Sequence, residues 1–283
     1  MKVALVLQGG SMKGLYSAGV MDVMMEHNIH VDGIIGVSVG SLFGPNYFSK
    51  QKGRALRYNQ RFCKDLRFIS MPSFIFTGNI VNKQFAYYDM TFKHDVFDNE
   101  TFIKNNTGFW ATTTNIETGK AEYLEMKDVY DGLEKLRASA AIPFFCKIVE
   151  IDDKKYLDGG VGDNVPVRKC KALGYDKIVV ILTQTRDERK EPLSHFMMNV
   201  LKLKYHRYPL FLEALRNRHE MCNQTIDEII EMERNEEIFV FAPSRVLNIG
   251  TIERDVNHMQ EIYDLGRNEA LQQMPKLIEY LKK

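Results

Sequence analysis

Cysteine is scarce. The 283 residues hold four, Cys63, Cys146, Cys170 and Cys222, and no two form a Cys-x-x-Cys pair. That spacing excludes zinc-ribbon and thioredoxin-type motifs, and the thiols read as reduced, small core fillers of a cytoplasmic protein. Excess charge is also lacking. Lys and Arg number 38 against 37 Asp and Glu, a net of +1 that favours no nucleic acid. No stretch approaches the ~20 apolar residues of a membrane span. Only five apolar residues lie between Lys2 and Gln8, too few for a signal-peptide core. The expected location is therefore the cytoplasm, with contact at a membrane surface left open. No Asp-x-Asp-x-Asp-Gly loop is present, so neither calcium nor any other metal or cofactor is expected. Repeats and low-complexity segments are absent as well.

The chain does have apolar content. At 45% hydrophobic residues it can bury one large core or two small ones. Val3 to Leu7 is a continuous apolar run, as suits a strand covered on both faces. Leu15 to His27 predicts a helix, with Val20, Val23, Met24 and His27 on one face. Gly33 to Val37 predicts a second buried strand, and Val39 to Tyr47 a second helix. Strand, loop, helix, strand, turn and helix within 50 residues signal a βαβ architecture. Residues 60–110 are rich in aromatics (Phe74, Phe76, Phe85, Tyr87, Tyr88, Phe92, Phe97), which fits the wall of an apolar pocket or a plain core layer. Further strands are expected at Phe109 to Asn115, Ala121 to Met126, Lys155 to Leu157, Lys177 to Leu182 and Glu237 to Ala242. A helix is expected from Gly132 to Ala141, ending before Pro143. Two C-terminal helices, Glu253 to Gln273 and Lys276 to Leu281, complete the list. The charged run Arg186 to Pro192 reads as a solvated loop and a seam.

Gly36-Val37-Ser38-Val39-Gly40 falls between a buried strand and a helix, the context of a nucleophile elbow. Such a turn exposes the serine hydroxyl beside a helix start, where developing negative charge is favoured. The other meaning of the pattern is a tight turn with an idle serine. Gln8-Gly9-Gly10-Ser11-Met12-Lys13-Gly14 also links strand to helix. It lacks the Gly-Lys-Ser/Thr ending of a P-loop, and Ser11 interrupts the dinucleotide fingerprint. Beside a serine elbow, its N–H groups suit an oxyanion hole formed by Gly9, Gly10, Ser11 and Met12. Lys13 would either approach a substrate phosphate or support the loop.

A serine nucleophile needs a proton acceptor. The seven histidines, His27, His30, His94, His195, His206, His219 and His258, stand in no glycine-rich or strand-end setting. Asp158 does, following Lys155-Tyr156-Leu157 and preceding Gly159 and Gly160, although Asp-Gly also serves in plain turns. An ordinary α/β-hydrolase, with His258 as the late histidine, is disfavoured because the serine comes after a single βα unit.

In this order the three motifs resemble a bacterial member of the patatin-like phospholipase family. The likeness covers roughly residues 1–185, and Arg137-Ala138-Ser139-Ala140-Ala141-Ile142-Pro143 is similar to the family's small-residue stretch. It implies a patatin-like three-layer α/β/α fold with a mostly parallel sheet, and a helical C-terminal extension over 186–283. It also implies calcium-independent hydrolysis of lipid esters by a Ser38–Asp158 dyad, with Gly14, Gly36, Gly40, Gly159, Gly160 and Lys13 supporting the motifs. Ser11 stands where the family has glycine, and its Cβ opposes a positive φ. Lys13 replaces an arginine and lacks a bidentate grip. A catalytically weak lipid-binding or regulatory module, and acyl transfer, are the competing functions. Leu193 to His219 mixes aromatics with Lys202, Lys204, Arg207, Arg216 and Arg218, and suits either an anionic lipid surface or a helix pair packed on the core.

Overall fold

The computed structural model describes residues 1–283. Eight strands form one mixed sheet: β1 (Val3–Leu7), β2 (Gly33–Val37), β3 (Phe109–Asn115), β4 (Ala121–Glu125), β5 (Val149–Ile151), β6 (Lys154–Asp158), β7 (Lys177–Ile181) and β8 (Phe239–Phe241). The parallel part runs β3-β2-β1-β7-β8. Antiparallel β4 lies along β3, and the β5–β6 hairpin joins β3 near its C-terminal end.

The helices are α1 (Gly14–Glu26), α2 (Val39–Phe43), α3 (Pro45–Phe48), α4 (Arg54–Phe62), α5 (Met71–Thr77), α6 (Asn99–Asn105), α7 (Val129–Ser139), α8 (Val167–Ala172), α9 (His195–Tyr205), α10 (Pro209–Arg234) and α11 (Val256–Lys282), with a π-helical segment at Lys83–His94. Strand alternation sorts the core into layers. Val3, Leu5 and Leu7 of β1 pack in a cluster with residues of α1, α4 and α11. Ala4 and Val6 point to the opposite face, toward Val167 and Cys170 of α8 and Ile226 and Ile229 of α10. The result is the expected three-layer α/β/α arrangement. All four cysteines are free and buried.

Several boundaries differ from expectation. α7 starts at Val129 because the Asp128 carboxylate caps it, accepting from the N–H groups of Tyr130 and Asp131. The helix after Ser38 is divided in two, with Pro45 opening α3. The two C-terminal helices are one, α11, which carries Pro275 inside it. Met274, Leu277 and Tyr280 are all buried, and this packing holds the last turns in line despite the lost hydrogen bond. The short strand β5 has three residues and no alternation of its own.

β8 extends the sheet beyond β7, and α11 lies along α1, where the buried Tyr16 hydroxyl donates to Glu269 at 2.8 Å. Residues 186–283 therefore complete the same layers. The charged run at 186–192 is the expected surface loop, with Asp187, Arg189, Glu191 and Pro192 exposed, and ion pairs tie it to its surroundings. Arg186 is paired with Glu233 at 2.5 Å, Arg189 with Asp227 at 2.5 Å, and Glu188 with Lys13 at 3.1 Å.

Candidate active site

Strand register brings Ser38 and Asp158 together. β4 occupies one edge of β3 from Trp110 to Thr114, so β2 and β6 share the other. β2 ends there with Val37 opposite Thr112, and β6 arrives from the other direction with Asp158 opposite Thr113. The two strands point their C-terminal ends at each other, and residues 38 and 158 are what each presents. Both are 8% exposed.

Ser38 adopts φ 52° and ψ −120°, outside the regions open to ordinary L-residues. Such strain costs about 1–3 kcal/mol and needs support. The Ser38 N–H donates to Ser139 Oγ at 3.0 Å, and Ser139 Oγ is hydrogen-bonded to Ser41 Oγ at 2.8 Å. The turn also needs close backbone approach. A Cβ on Gly36 would lie 2.5 Å from the Ser41 nitrogen, and one on Gly40 2.5 Å from the Leu7 carbonyl oxygen.

The Asp158 carboxylate accepts the Gly160 N–H at 2.8 Å, and Thr114 Oγ1 donates to the Asp158 carbonyl at 2.8 Å. Burial raises the carboxyl pKa above its ordinary value. The facing Ser38 hydroxyl, the Gly160 N–H and the positive charges of Arg218 and Lys190 partly offset that rise.

The glycine loop runs beside the serine. Gln8, 1% exposed, accepts the Thr183 N–H at 2.6 Å and donates to Gln184 at 2.9 Å, while Thr183 Oγ1 donates to the Gly9 carbonyl at 2.6 Å. The N–H groups of Gly9, Gly10, Ser11 and Met12 meet no acceptor within the protein. The Cβ of Ser11 does not keep it from a positive φ: the residue sits at φ 51°, and its Oγ accepts from Thr251 Oγ1 at 3.3 Å. Lys13 Nζ is committed to Glu188, which favours its loop-supporting role.

Two cavities meet at this point. One is lined by 24 residues of which 17 are hydrophobic, Phe43, Tyr58, Tyr87 and Phe97 among them. Of the aromatics singled out between 60 and 110, Tyr87 and Phe97 line it. Phe85 belongs to the core beside Phe62 and Phe68, and Phe76 is exposed. The other cavity is polar where Ser38, Asp158, Asn164, Lys190 and Arg218 line it. Ser11, Ser38, Ile142 and Thr251 belong to both. No histidine lines either. His258 instead bonds Glu253 at 2.8 Å, and His94 stacks on Phe62 and Phe85. Nowhere do three or more His, Cys, Asp or Glu side chains gather as a metal site.

Ser139, Thr251, Lys190 and Arg218 were not marked out as site residues by sequence alone. Ser139 lay inside the small-residue stretch already noted, whereas Lys190 and Arg218 were hidden among many surface cations.

Residues 5–170 match the patatin-like phospholipase family, and residues 208–282 match a domain of unknown function, DUF6363. The first match covers more than half of the chain, which therefore belongs to the patatin-like phospholipase family. Among similar proteins, the uncharacterized protein YjjU of Escherichia coli strain K12 is 25% identical over 273 residues, 94% of this chain and 75% of that protein. Lysophospholipase NTE1 of Coccidioides immitis is 29% identical over 188 residues, 63% of this chain and 11% of that enzyme. The alignments thus span three quarters of YjjU but only about a ninth of the lysophospholipase. The crystal structure of VipD from Legionella pneumophila aligns with a TM-score of 0.47 at 12% identity, over 97% of this chain and 67% of that one. No helix is long and apolar enough to cross a membrane.

Proposed function

We propose that this protein is a serine acyl hydrolase that cleaves lipid esters. Ser38 Oγ attacks the ester carbonyl and passes its proton to Asp158. The N–H groups of Gly9, Gly10, Ser11 and Met12 hold the oxyanion, a contribution of about 3 kcal/mol per donor in comparable sites. The carbonyl–alkoxy bond then breaks, and the departing alcohol takes the proton from Asp158. Water, deprotonated in turn by Asp158, attacks the acyl-enzyme carbonyl; the bond to Ser38 Oγ breaks as that oxygen takes the proton back from Asp158, and the fatty acid is released. The observation that carries this reading is Ser38 itself, strained and at the junction of an apolar and a polar cavity, with a buried carboxyl facing its hydroxyl. The apolar cavity suits an acyl chain. Family membership and the lysophospholipase relatives support a lipid substrate.

Ser11 was the feature favouring a catalytically weak module, and its conformation removes that reason. Residues 1–185 supply the dyad and oxyanion groups in this account, and residues 186–283 wall the polar cavity through α9 and α10. The outer side of that wall also meets the lipid surface. α9 buries Met198, Leu201 and Tyr205 but leaves Leu203 81% exposed and Phe196 77% exposed, with Lys202 and Lys204 alongside. Phe76 on α5 is likewise 87% exposed, and Phe74 of that helix and Lys204 of α9 both contact Phe144.

The test is a panel of p-nitrophenyl esters and phospholipids with the wild type and Ser38→Ala. Turnover by the wild type alone is expected, unchanged by a chelator. Equal turnover by Ser38→Ala would refute the assignment.

A further inference from the structure

The cavity that suits an acyl chain is not apolar throughout. Arg54, Tyr58, Tyr87 and Thr91 line it beside the aliphatic and aromatic groups, and they gather in one part of it. The Arg54 guanidinium lies 5.4 Å from the centre of the Tyr58 ring and 5.3 Å from that of Phe97. The Phe97 N–H donates to the Thr91 carbonyl at 2.9 Å. Tyr87 stands about one turn before Thr91 on the π-helical segment Lys83–His94. The wide turns of that segment bring Ala86, Tyr87, Met90 and Thr91 onto the cavity together.

Three hydroxyls in this part have no acceptor in the protein. Tyr58, Tyr87 and Thr91 are each at most 9% exposed. A buried tyrosine O–H ordinarily finds a partner, and a helical threonine often bonds a carbonyl one turn back. Neither Tyr87 Oη nor Thr91 Oγ1 makes a hydrogen bond. Tyr58 Oη neighbours the Asn59 side chain, whose amide nitrogen donates to the Ala55 carbonyl at 2.8 Å. Burial raises both phenol pKa values, to about 12 at Tyr58, so both side chains stay neutral O–H donors. Arg54, by contrast, is fully engaged. Its Nε and one terminal nitrogen donate to the Asp95 carbonyl at 3.2 and 2.6 Å, and the other terminal nitrogen donates to Asn46 at 3.2 Å. Its charge is met by the Asp95 carboxylate at 3.2 Å. The region therefore offers neutral donors and no free charge, which suits an uncharged oxygen and not a carboxylate.

We infer that Tyr58, Tyr87 and Thr91 recognise an oxygen carried on the acyl chain, so that the preferred acyl group is a hydroxy or keto fatty acyl and not a plain hydrocarbon one. The inference rests on the hydrolase reading above and concerns the acyl half of its substrate. A mostly apolar pocket takes its specificity from a few placed polar groups of this kind. The Tyr58 ring is held edge-on between Phe43 and Phe68, with centroids 6.2 Å away on each side, so its hydroxyl is fixed before the chain enters. Ser38 caps α2 and Phe43 ends it, about 7.5 Å of helix rise further on. The recognised oxygen thus lies several bonds from the scissile carbonyl. A chain without it leaves the donors unpaired, the kind of mismatch by which a polar site rejects an analogue.

The experiment compares kcat/KM for p-nitrophenyl octadecanoate with its mid-chain hydroxy and keto derivatives. Full-length wild type, Tyr58→Phe, Tyr87→Phe and the double variant are tested. The wild type is expected to favour an oxygenated chain about fivefold or more, the worth of one neutral hydrogen bond. Each substitution should lower that ratio, and the double variant should bring it below one, because an apolar cavity disfavours a chain hydroxyl. A wild-type ratio at or below one for every derivative overturns the inference without any variant, and the hydrolase reading stands. A preference that survives the double substitution overturns it as well. Calorimetric titration of the free hydroxy and plain fatty acids into Ser38→Ala protein gives a readout without turnover. Tighter binding of the hydroxy acid, lost when Tyr58→Phe and Tyr87→Phe are added, supports the inference, and equal binding refutes it. A wild type that cleaves none of the esters would instead defeat the hydrolase reading, leaving the titration to decide what the cavity recognises.

Discussion

Replacing Ser139 by alanine probes how the strained turn at Ser38 is held. The Ser139 hydroxyl is fully buried, accepts the Ser38 N–H at 3.0 Å and bonds Ser41 Oγ at 2.8 Å. Its removal leaves the Ser38 N–H with no acceptor in a dry site. A buried polar group stranded this way costs about 1–3 kcal/mol. The Ser41 hydroxyl can rotate toward a helix carbonyl, so the middle of that range, about 2 kcal/mol, is the expected loss. An unfolding entropy of about 2.1 cal/mol/K per residue over 283 residues converts this to a fall in Tm of about 3 °C. The freed turn would relax from its positive φ and misplace the nucleophile, lowering kcat about ten- to a hundredfold with little change in KM. Scanning calorimetry and steady-state hydrolysis of a p-nitrophenyl ester read both effects. Ser41→Ala is the control. It keeps the acceptor for the Ser38 N–H, so it should cost under about 1 kcal/mol and retain most of kcat. A Ser139→Ala protein with wild-type Tm and kcat, or a Ser41→Ala protein equally impaired, would refute the reasoning.

Three further outcomes follow from the same geometry. Burial raises the Asp158 pKa, and a base must be ionised, so the acid limb of kcat/KM should lie above the ordinary ~4 of an aspartate. Positive charge favours the carboxylate, so Lys190→Met should move that limb to higher pH; an unmoved or lowered limb in a pH–rate profile contradicts this. The same raised pKa means the folded state binds the Asp158 proton more tightly than the unfolded chain. That term therefore weakens stability as pH rises from the unfolded to the folded pKa, and Asp158→Asn should match or exceed wild-type stability above that window, as urea unfolding at several pH values would show. A Cβ on Gly159 would press into the Thr112 carbonyl, so Gly159→Ala should lose about 3 kcal/mol or more; a urea midpoint equal to the wild type would rule out the clash.

Much of the site could be anticipated because its parts are local. Ser38 and the glycine loop each lie between an apolar strand and a helix, where a few residues determine the backbone path. Asp158 was suggested by its two following glycines. Its meeting with Ser38 depends on β2 and β6 sharing one edge of β3, a non-local register that periodicity does not encode. Ser11 was misjudged because the rule against positive φ is a preference, and surrounding contacts outweighed it. Lys190 and Arg218 carried no local signal, since only the packing of α10 against residues 159–161 separates them from surface cations. The single helix α11 was divided at Pro275 because local propensity was weighed without the buried residues that follow.

The account depends on Ser38 being a nucleophile activated by Asp158. Labelling with a fluorophosphonate, followed by mass spectrometry of the modified peptide, tests this directly. The account predicts modification at Ser38 in the wild type, a rate at least a hundredfold slower in Asp158→Asn, and wild-type rates when each histidine is replaced singly. Label on another residue, an Asp158→Asn protein that reacts as fast as the wild type, or a folded histidine variant that fails to react would contradict it.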